Sequence, residues 1–374
     1  MKLLSSRETE GKWVEVKFED SKLIEKTQGL MKESLLCENL LVLCGLGTSL
    51  CLKTNGGGKV ASTMTDLWKA VEEASAGKMK DIIEKVNYQK PESGDSIELL
   101  LSKCQISEVL KPNEEVEEFI TIGEKVIVER CNFDASLLDL GVHESFLRRV
   151  ARRSARQPRM RLFTTNYDRC FESAATNARF TVMDGFSHSL PQEFDGTYFS
   201  YDLVRRGKDA ESPDFIPNVF QLFKLHGSID WERQGPRVIK NPNPQRALII
   251  YPRSDKYETS YEPPFVELMS GFQLALRAPN TALIVIGSGL NDKHIVEPIM
   301  SSVRSNIGLR LMVISLDLDG SKNKAIEDIR SLIEKGDSRL CLLEAAFQEV
   351  VSLMPDLTAE TETEQHERRI RGLR

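Results

Sequence analysis

The feature that most constrains the fold is a repeated alternation. Short apolar runs, each ending in a polar or glycine-containing loop, are separated by amphipathic segments. "ENLLVLCGLGTS" (38–49), "RMRLFTTNYD" (159–168), "VFQLFKLHGS" (219–228) and "TALIVIGSGLND" (281–292) share this form. "RALIIYP" (246–252), "GLRLMVISLD" (308–317) and "SRLCLLEA" (338–345) read as further strands. "PFVELMSGFQLALR" and "KHIVEPIMSSVRS" read as helices between them. Strands rich in Ile, Val and Leu that alternate with helices predict an α/β fold with a parallel, Rossmann-like sheet.

Other segments differ in character. Residues 12–18, "KWVEVKF", alternate polar and apolar side chains and predict a strand, and residues 21–36 predict a helix. Residues 62–150 are rich in Glu, Lys, Leu and Ala, with helical periodicity in "MTDLWKAVEEA", "SIELLLSKCQISEVL" and "EEFITIGEKVIVERC". The expected organisation is an N-terminal arm over 1–35, an α/β body over 36–61 and 151–355, a helical insertion or second subdomain over 62–150, and a flexible charged tail over 356–374.

Composition excludes several classes. A net charge of -6 does not favour general nucleic-acid binding. No apolar run approaches the ~20 residues needed to cross a bilayer. "MKLLSSRETEGKW" turns polar too soon for a signal peptide, so a cytoplasmic location is expected. None of the seven cysteines forms a C-x-x-C pair, which argues against a zinc ribbon. "KTNGGGKV" (53–60) is not a P-loop, because Val60 stands where Ser or Thr would hold magnesium. His294 and Asp292 are too few for a metal site, and no carboxylate cluster has the spacing of a nuclease. No metal is expected.

In a parallel α/β sheet, ligands bind outside the carboxyl ends of the strands. Four loops are therefore placed to line one crevice: Gly45–Ser49, Thr164–Asp168, His226–Ser228 and Gly287–Asp292. Each has a plainer reading. Gly45-Leu46-Gly47 can be a tight strand-to-helix turn. Asn166 can cap the next helix. Asp168 can be a first-turn acid. Gly287 and Gly289 can serve close packing alone, and His226 can simply end a strand. His143 and His188 carry no chemical context. In "LRRVARRSARQPRMR" (147–161), Arg148, Arg152 and Arg156 fall on one helical stripe, either a solvated face or a surface for DNA or a partner.

Taken together, "GLGTS", "TTNYD", "KLHGS" and "GSGLNDKHI" resemble the sirtuin family in its bacterial sirtuin-like branch, over roughly residues 36–320. Gly289 departs from that branch's serine, and Leu46 replaces the usual alanine. The resemblance implies a Rossmann-like domain that takes NAD as substrate. It places Gly45, Leu46, Gly47, Thr48 and Ser49 at the NAD phosphates. Asn166, with Thr165 and Asp168, falls at the nicotinamide ribose. His226 becomes the catalytic base beside Gly227, and Gly287, Ser288 and Asp292 fall at the adenosine half. Deacylating sirtuins carry two C-x-x-C pairs. This chain has none, so NAD hydrolysis is expected ahead of deacylation.

Cleaving nicotinamide from ribose passes through an oxocarbenium-like state and needs no metal. His226 suits a base near neutral pH, Asn166 can orient water, and Asp168 can stabilise developing positive charge. The resemblance further implies an anti-phage effector that depletes NAD, a homo-oligomer, and a HerA-type hexameric ATPase as partner. The rival readings are a non-catalytic NAD- or ADP-ribose-binding scaffold and an NAD-dependent deacylase.

Overall fold

A computed structural model describes residues 1–54, 56–91, 94–154, 157–206, 214–250, 262–357 and 369. Its centre is a nine-stranded sheet. In spatial order the strands are Val14–Glu15, Lys2–Ser5, Leu340–Glu344, Leu309–Ser315, Thr281–Ile286, Asn39–Cys44, Arg161–Thr164, Val219–Lys224 and Thr181–Met183. The seven from Leu340–Glu344 onward are parallel, and the first two are an antiparallel cap on one edge. The predicted α/β class with a largely parallel sheet is the observed one.

Alternation along each strand sorts its side chains between two layers. Leu40, Val42 and Cys44 face helices Ser21–Leu35, Gly141–Val150, Cys170–Ala178 and Phe347–Leu353. Leu41 and Leu43 face helices Phe265–Arg277, Lys293–Ser305 and Lys324–Glu334. Both faces are covered, so the inner strands are apolar throughout, and all six residues of Thr281–Ile286 are buried.

Chain order fixes where a ligand can sit. From Asn39–Cys44 the chain goes to Arg161–Thr164, out to the edge strand Thr181–Met183 and back to Val219–Lys224, then crosses to Thr281–Ile286 and builds outward on the other side. These two strands are in register, with Cys44 opposite Ile286. Strand order reverses between them, and that leaves a crevice beyond their carboxyl ends.

The helices Met64–Ala74, Met79–Lys85, Ile97–Leu110 and Glu114–Cys131 pack around a core of their own, with Leu67, Val71, Ile97, Leu101, Phe119 and Ile127. This core meets the sheet's loops at Tyr167 and Ile229. Among the described residues no helix is long and apolar enough to cross a membrane.

Three expectations are corrected. The 246–252 run forms no strand among its described residues; Tyr251 and Pro252 lie outside them. Instead it hugs the His226 turn, with the Ile250 amide donating to His226 O at 3.0 Å and only a bridge from Ile249 to Gly227. Of "KWVEVKF" only Val14–Glu15 is strand, while Lys2–Ser5, not foreseen, pairs with Leu340–Glu344. The basic stretch is not one helical stripe. Its helix ends at Val150, Arg152 beyond it is buried, and Arg153 donates to the carbonyls of Leu35, Cys37 and Glu38. Arg156 and His366 lie outside the described residues.

Candidate active site

All four loops reach one cavity of about 650 Å³ at the reversal point. Gly45, Leu46, Gly47, Thr165, Asn166, Asp168, His226, Gly287, Ser288 and Asp292 line it. Two glycines let the first and last loops touch backbone to backbone. The Gly47 amide donates to Gly287 O at 2.8 Å, and a Cβ on Gly47 would lie 2.5 Å from Gly287 Cα.

Thr48, Ser49 and Gly227 lie beneath the lining rather than in it. Thr48 Oγ1 donates to Gly45 O at 2.8 Å, and Ser49 Oγ donates to Asp168 Oδ2 at 2.7 Å. These hydroxyls brace the loop instead of facing the space a diphosphate would fill. Gly227 has φ +84°, and a Cβ there would meet Leu248 O at 2.1 Å. The turn that presents His226 therefore requires glycine.

Asn166 does not cap the following helix. Its Nδ2 lies 3.2 Å from Gly45 O, 3.3 Å from Thr48 Oγ1 and 3.0 Å from Ser49 Oγ. The amide hydrogens are thus committed to the first loop. Among the described residues no donor reaches its Oδ1, which leaves a hydrogen-bond acceptor at the cavity wall. Asp168, one position before the N-cap Arg169, accepts from the Cys170 amide at 3.0 Å as well as from Ser49. Below it, buried Lys224 donates to the carbonyls of Tyr167 and Asp168 and pairs with Glu172 at 3.0 Å.

His226 is 2 % exposed, and its Nε2 lies 2.8 Å from Nε2 of His294. One ring supplies the hydrogen of this bond and the other the lone pair, so the pair is complete when both rings are neutral. Burial pushes His226 down to about 4. Burial and the neighbouring His226 push His294 to about 4, with Asp292 opposing. The expected poise of His226 near 6.5 is thereby corrected: a dry pocket disfavours the imidazolium.

Three lining or supporting groups were not foreseen. His294 is 68 positions from its partner His226; its only sequence signal was "NDKHI". Glu98, from the helical segment, lines the cavity and is bonded to Tyr167; nothing in its sequence neighbourhood marks it. His143 is fully buried between Phe171 and Phe347, at ring distances of 5.3 and 5.2 Å. Among the described residues neither of its ring nitrogens is in hydrogen-bond geometry with a partner, and burial holds it at about 4 against the pull of Asp168 and the Thr48 backbone.

This makes a pH prediction. An unfolded histidine binds its proton near pH 6.5, whereas His143 in the folded chain does so only near 4. Between those values the unfolded state holds more protons, so stability falls as pH falls. His143→Leu removes the share of that dependence due to His143, while His226 and His294 keep theirs. The variant should gain on the wild type by about 1.4 kcal/mol per pH unit on going from pH 6.5 to 4. Urea titrations at several pH values measure this, and parallel stability curves for the two proteins would refute it.

Among the described residues no group of three or more His, Cys, Asp or Glu is arranged to hold a metal ion. The lining suits a dinucleotide. Glycine backbone at the reversal point allows close approach of a diphosphate, and the polar side chains of Asn166, Asp168 and His226 line the same cavity.

Residues 160–335 match the family model of the SIR2-like domain. This supports a sirtuin-like segment there, and SIR2-like domains use NAD as substrate. The SIR2-like segment contains Asn166, Asp168, His226 and the Gly287–Asp292 loop; the Gly45–Ser49 loop precedes it. No curated protein matches the chain. Among solved structures, a crystal structure of cytosolic 5'-nucleotidase IIIB bound to cytidine aligns at 11% identity and a TM-score of 0.30. That alignment covers 95% of this chain and 100% of the other, and at this score it carries no argument.

Proposed function

We propose that the chain is an NAD+ glycohydrolase that converts NAD+ and water to ADP-ribose and nicotinamide. The observation that carries this reading is the convergence of four distant loops on one cavity at the strand-order reversal. There the Asn166 amide oxygen and the neutral His226–His294 pair meet glycine backbone suited to a diphosphate. In this reading Gly45, Gly47, Gly287 and Ser288 hold the diphosphate and adenosine half. Asn166 orients the attacking water or a ribose hydroxyl, having its amide hydrogens already engaged. His226, held neutral, accepts a hydrogen bond from ribose or water. Asp168 braces the first loop and places negative charge beneath the developing oxocarbenium ion. A buried, preorganised site loses little reorganisation energy at the transition state.

The resemblance in the four motifs extends the proposal to biology. The chain acts as an anti-phage effector that depletes cellular NAD, as a homo-oligomer assembled with a HerA-type hexameric ATPase in the cytoplasm. The absence of C-x-x-C pairs supports hydrolysis over deacylation. A non-catalytic NAD-binding scaffold is the second reading, favoured by one observation: the low proton affinity of His226.

The test is NAD consumption by wild type, His226→Ala and Asn166→Ala, each alone and with the ATPase. Equimolar ADP-ribose and nicotinamide from wild type are expected, with at least about 10²-fold slower release from either variant. Product only in the presence of the ATPase would add gating by the partner. NAD bound but intact in every mixture would establish the scaffold.

A further inference from the structure

The helical segment brings three ionisable groups, Asp95, Glu98 and Cys131, to the cavity. Ser96 caps the helix Ile97–Leu110, accepting from the Leu99 amide at 3.2 Å, and so fixes the turn that carries Glu98. Gly94, Asp95, Ser96 and Glu98 all line the cavity. Asp95 is paired with Lys90 at 2.6 Å, so the unsalted carboxyl on this wall is that of Glu98.

The Tyr167 hydroxyl holds Glu98 in place. The Tyr167 hydroxyl is 2.8 Å from Glu98 Oε1 and 3.0 Å from Ile250 O. A phenol has one hydrogen, and a peptide carbonyl only accepts. The Tyr167 hydroxyl is therefore shared between Glu98 and Ile250, and its donation to Glu98 favours the carboxylate. When Glu98 is ionised, the phenol hydrogen turns to the carboxylate and the Ile250 carbonyl gives up that bond. Ile250 in turn donates its amide to His226 O at 3.0 Å. A short hydrogen-bonded path therefore joins Glu98 to the turn that presents His226.

Burial and charge act against the carboxylate. Burial raises Glu98, Asp292 across the cavity adds to this, and the Tyr167 bond opposes them, leaving it at about 7. Asp292 is itself raised by burial against the pull of His294. The Cys131 thiol, at the end of helix Glu114–Cys131, is raised by burial and then by the charges of Asp168 and Glu98, so it stays neutral. No cation among these groups holds Glu98 ionised.

We infer that Glu98 is the proton acceptor for the attacking water, with Tyr167 as its hydrogen-bonded partner. The inference rests on the hydrolase reading. In the step, the water oxygen bonds to the ribose carbon that bears nicotinamide. The carbon–nitrogen bond breaks, and its electron pair returns to the pyridine ring, which leaves as neutral nicotinamide. One water proton passes to the Glu98 carboxylate and from there to solvent. A base works best when its proton affinity matches the working pH. Glu98 meets that condition, whereas His226 is too weak a base at neutral pH and already shares its Nε2 with His294.

The test is a pH profile of NAD hydrolysis from pH 5 to 9 for the full chain, with the ATPase where it is required. Wild type, Glu98→Gln and Tyr167→Phe are compared. In parallel, carboxyl infrared difference spectra of wild type against Glu98→Gln follow the Glu98 proton directly, without turnover. The expected results are a wild-type rate that climbs through a limb near pH 7, and a neutral-acid band lost over the same range. Glu98→Gln should be about 10²-fold slower and lack the limb. Tyr167→Phe should move the limb upward, since it removes the bond that favours the carboxylate. Normal hydrolysis by Glu98→Gln with the limb intact would overturn this inference and leave the hydrolase standing. So would a Glu98 band that titrates in the ordinary carboxylate range. A wild type that never cleaves NAD, with Glu98 still titrating near 7, would remove the hydrolase reading and this inference with it.

Discussion

Lys224→Met should lower the stability of the chain by about 3–5 kcal/mol, the usual result of breaking one half of a buried pair. Lys224 is 2 % exposed and pairs with Glu172 at 3.0 Å. It also donates to the carbonyls of Tyr167 and Asp168. Burial opposes its charge, but Glu172, Asp230 and Asp168 together outweigh burial and raise it above the ordinary lysine value. A raised lysine contributes fully below about pH 10.5, so the whole effect is present at neutral pH. Methionine keeps the length and loses the charge. Glu172 is then left unpaired, and two carbonyls of the Thr165–Asp168 turn lose a donor. Urea denaturation measures the loss. Lys224→Met/Glu172→Leu should recover part of it, because replacing both partners by apolar groups costs less than orphaning one. A single variant as stable as wild type would show that Lys224 does not hold the turn.

Gly287→Ala should abolish NAD binding while leaving a folded chain. Gly287 has φ +65°, and an added Cβ would lie 2.7 Å from Gly47 C, Gly47 Cα and the Thr48 amide nitrogen. All three are backbone atoms, so no side chain can rotate away, and the left-handed conformation adds strain of its own. The first and last loops must part, breaking the bond from the Gly47 amide to Gly287 O. A stability loss of about 2–4 kcal/mol is expected beside the binding defect. Calorimetric titration with NAD and a thermal melt read the two effects separately. Gly289→Ala is the control. Its φ is not left-handed, and its Cβ would meet only the side-chain amide of Asn291 at 2.8 Å, which can turn aside. Unchanged NAD affinity in Gly287→Ala would refute the close contact.

The parts legible in the sequence were those whose cause is local. Strands such as Thr281–Ile286 are buried on both faces, so their residues form an uninterrupted apolar run that reads directly. The loops that close them carry glycine where backbones touch, as at Gly47 and Gly287. The parts that were missed depend on tertiary placement. "RALIIYP" has a strand's composition, yet its described residues follow the His226 turn instead of joining the sheet. Lys2–Ser5 is four residues whose pairing partner lies at Leu340–Glu344. Glu98 is one acid among many in a charged helical segment, and only the fold sets it opposite Asp292. His226 read correctly as a loop residue, but its proton affinity did not, because burial and the facing His294 cannot be seen along the chain.

The margins of the sheet bear on how copies of this chain can join. Among the described residues one margin is Val14–Glu15, two residues long, and the other is Thr181–Met183, three residues long. Neither offers a run of free amides and carbonyls long enough to template another strand. Growth by continuing the sheet from one molecule into the next is therefore blocked at both ends. Any copies that did associate would meet through helix faces and loops, where side-chain shape selects the partner and the geometry of contact can close on itself.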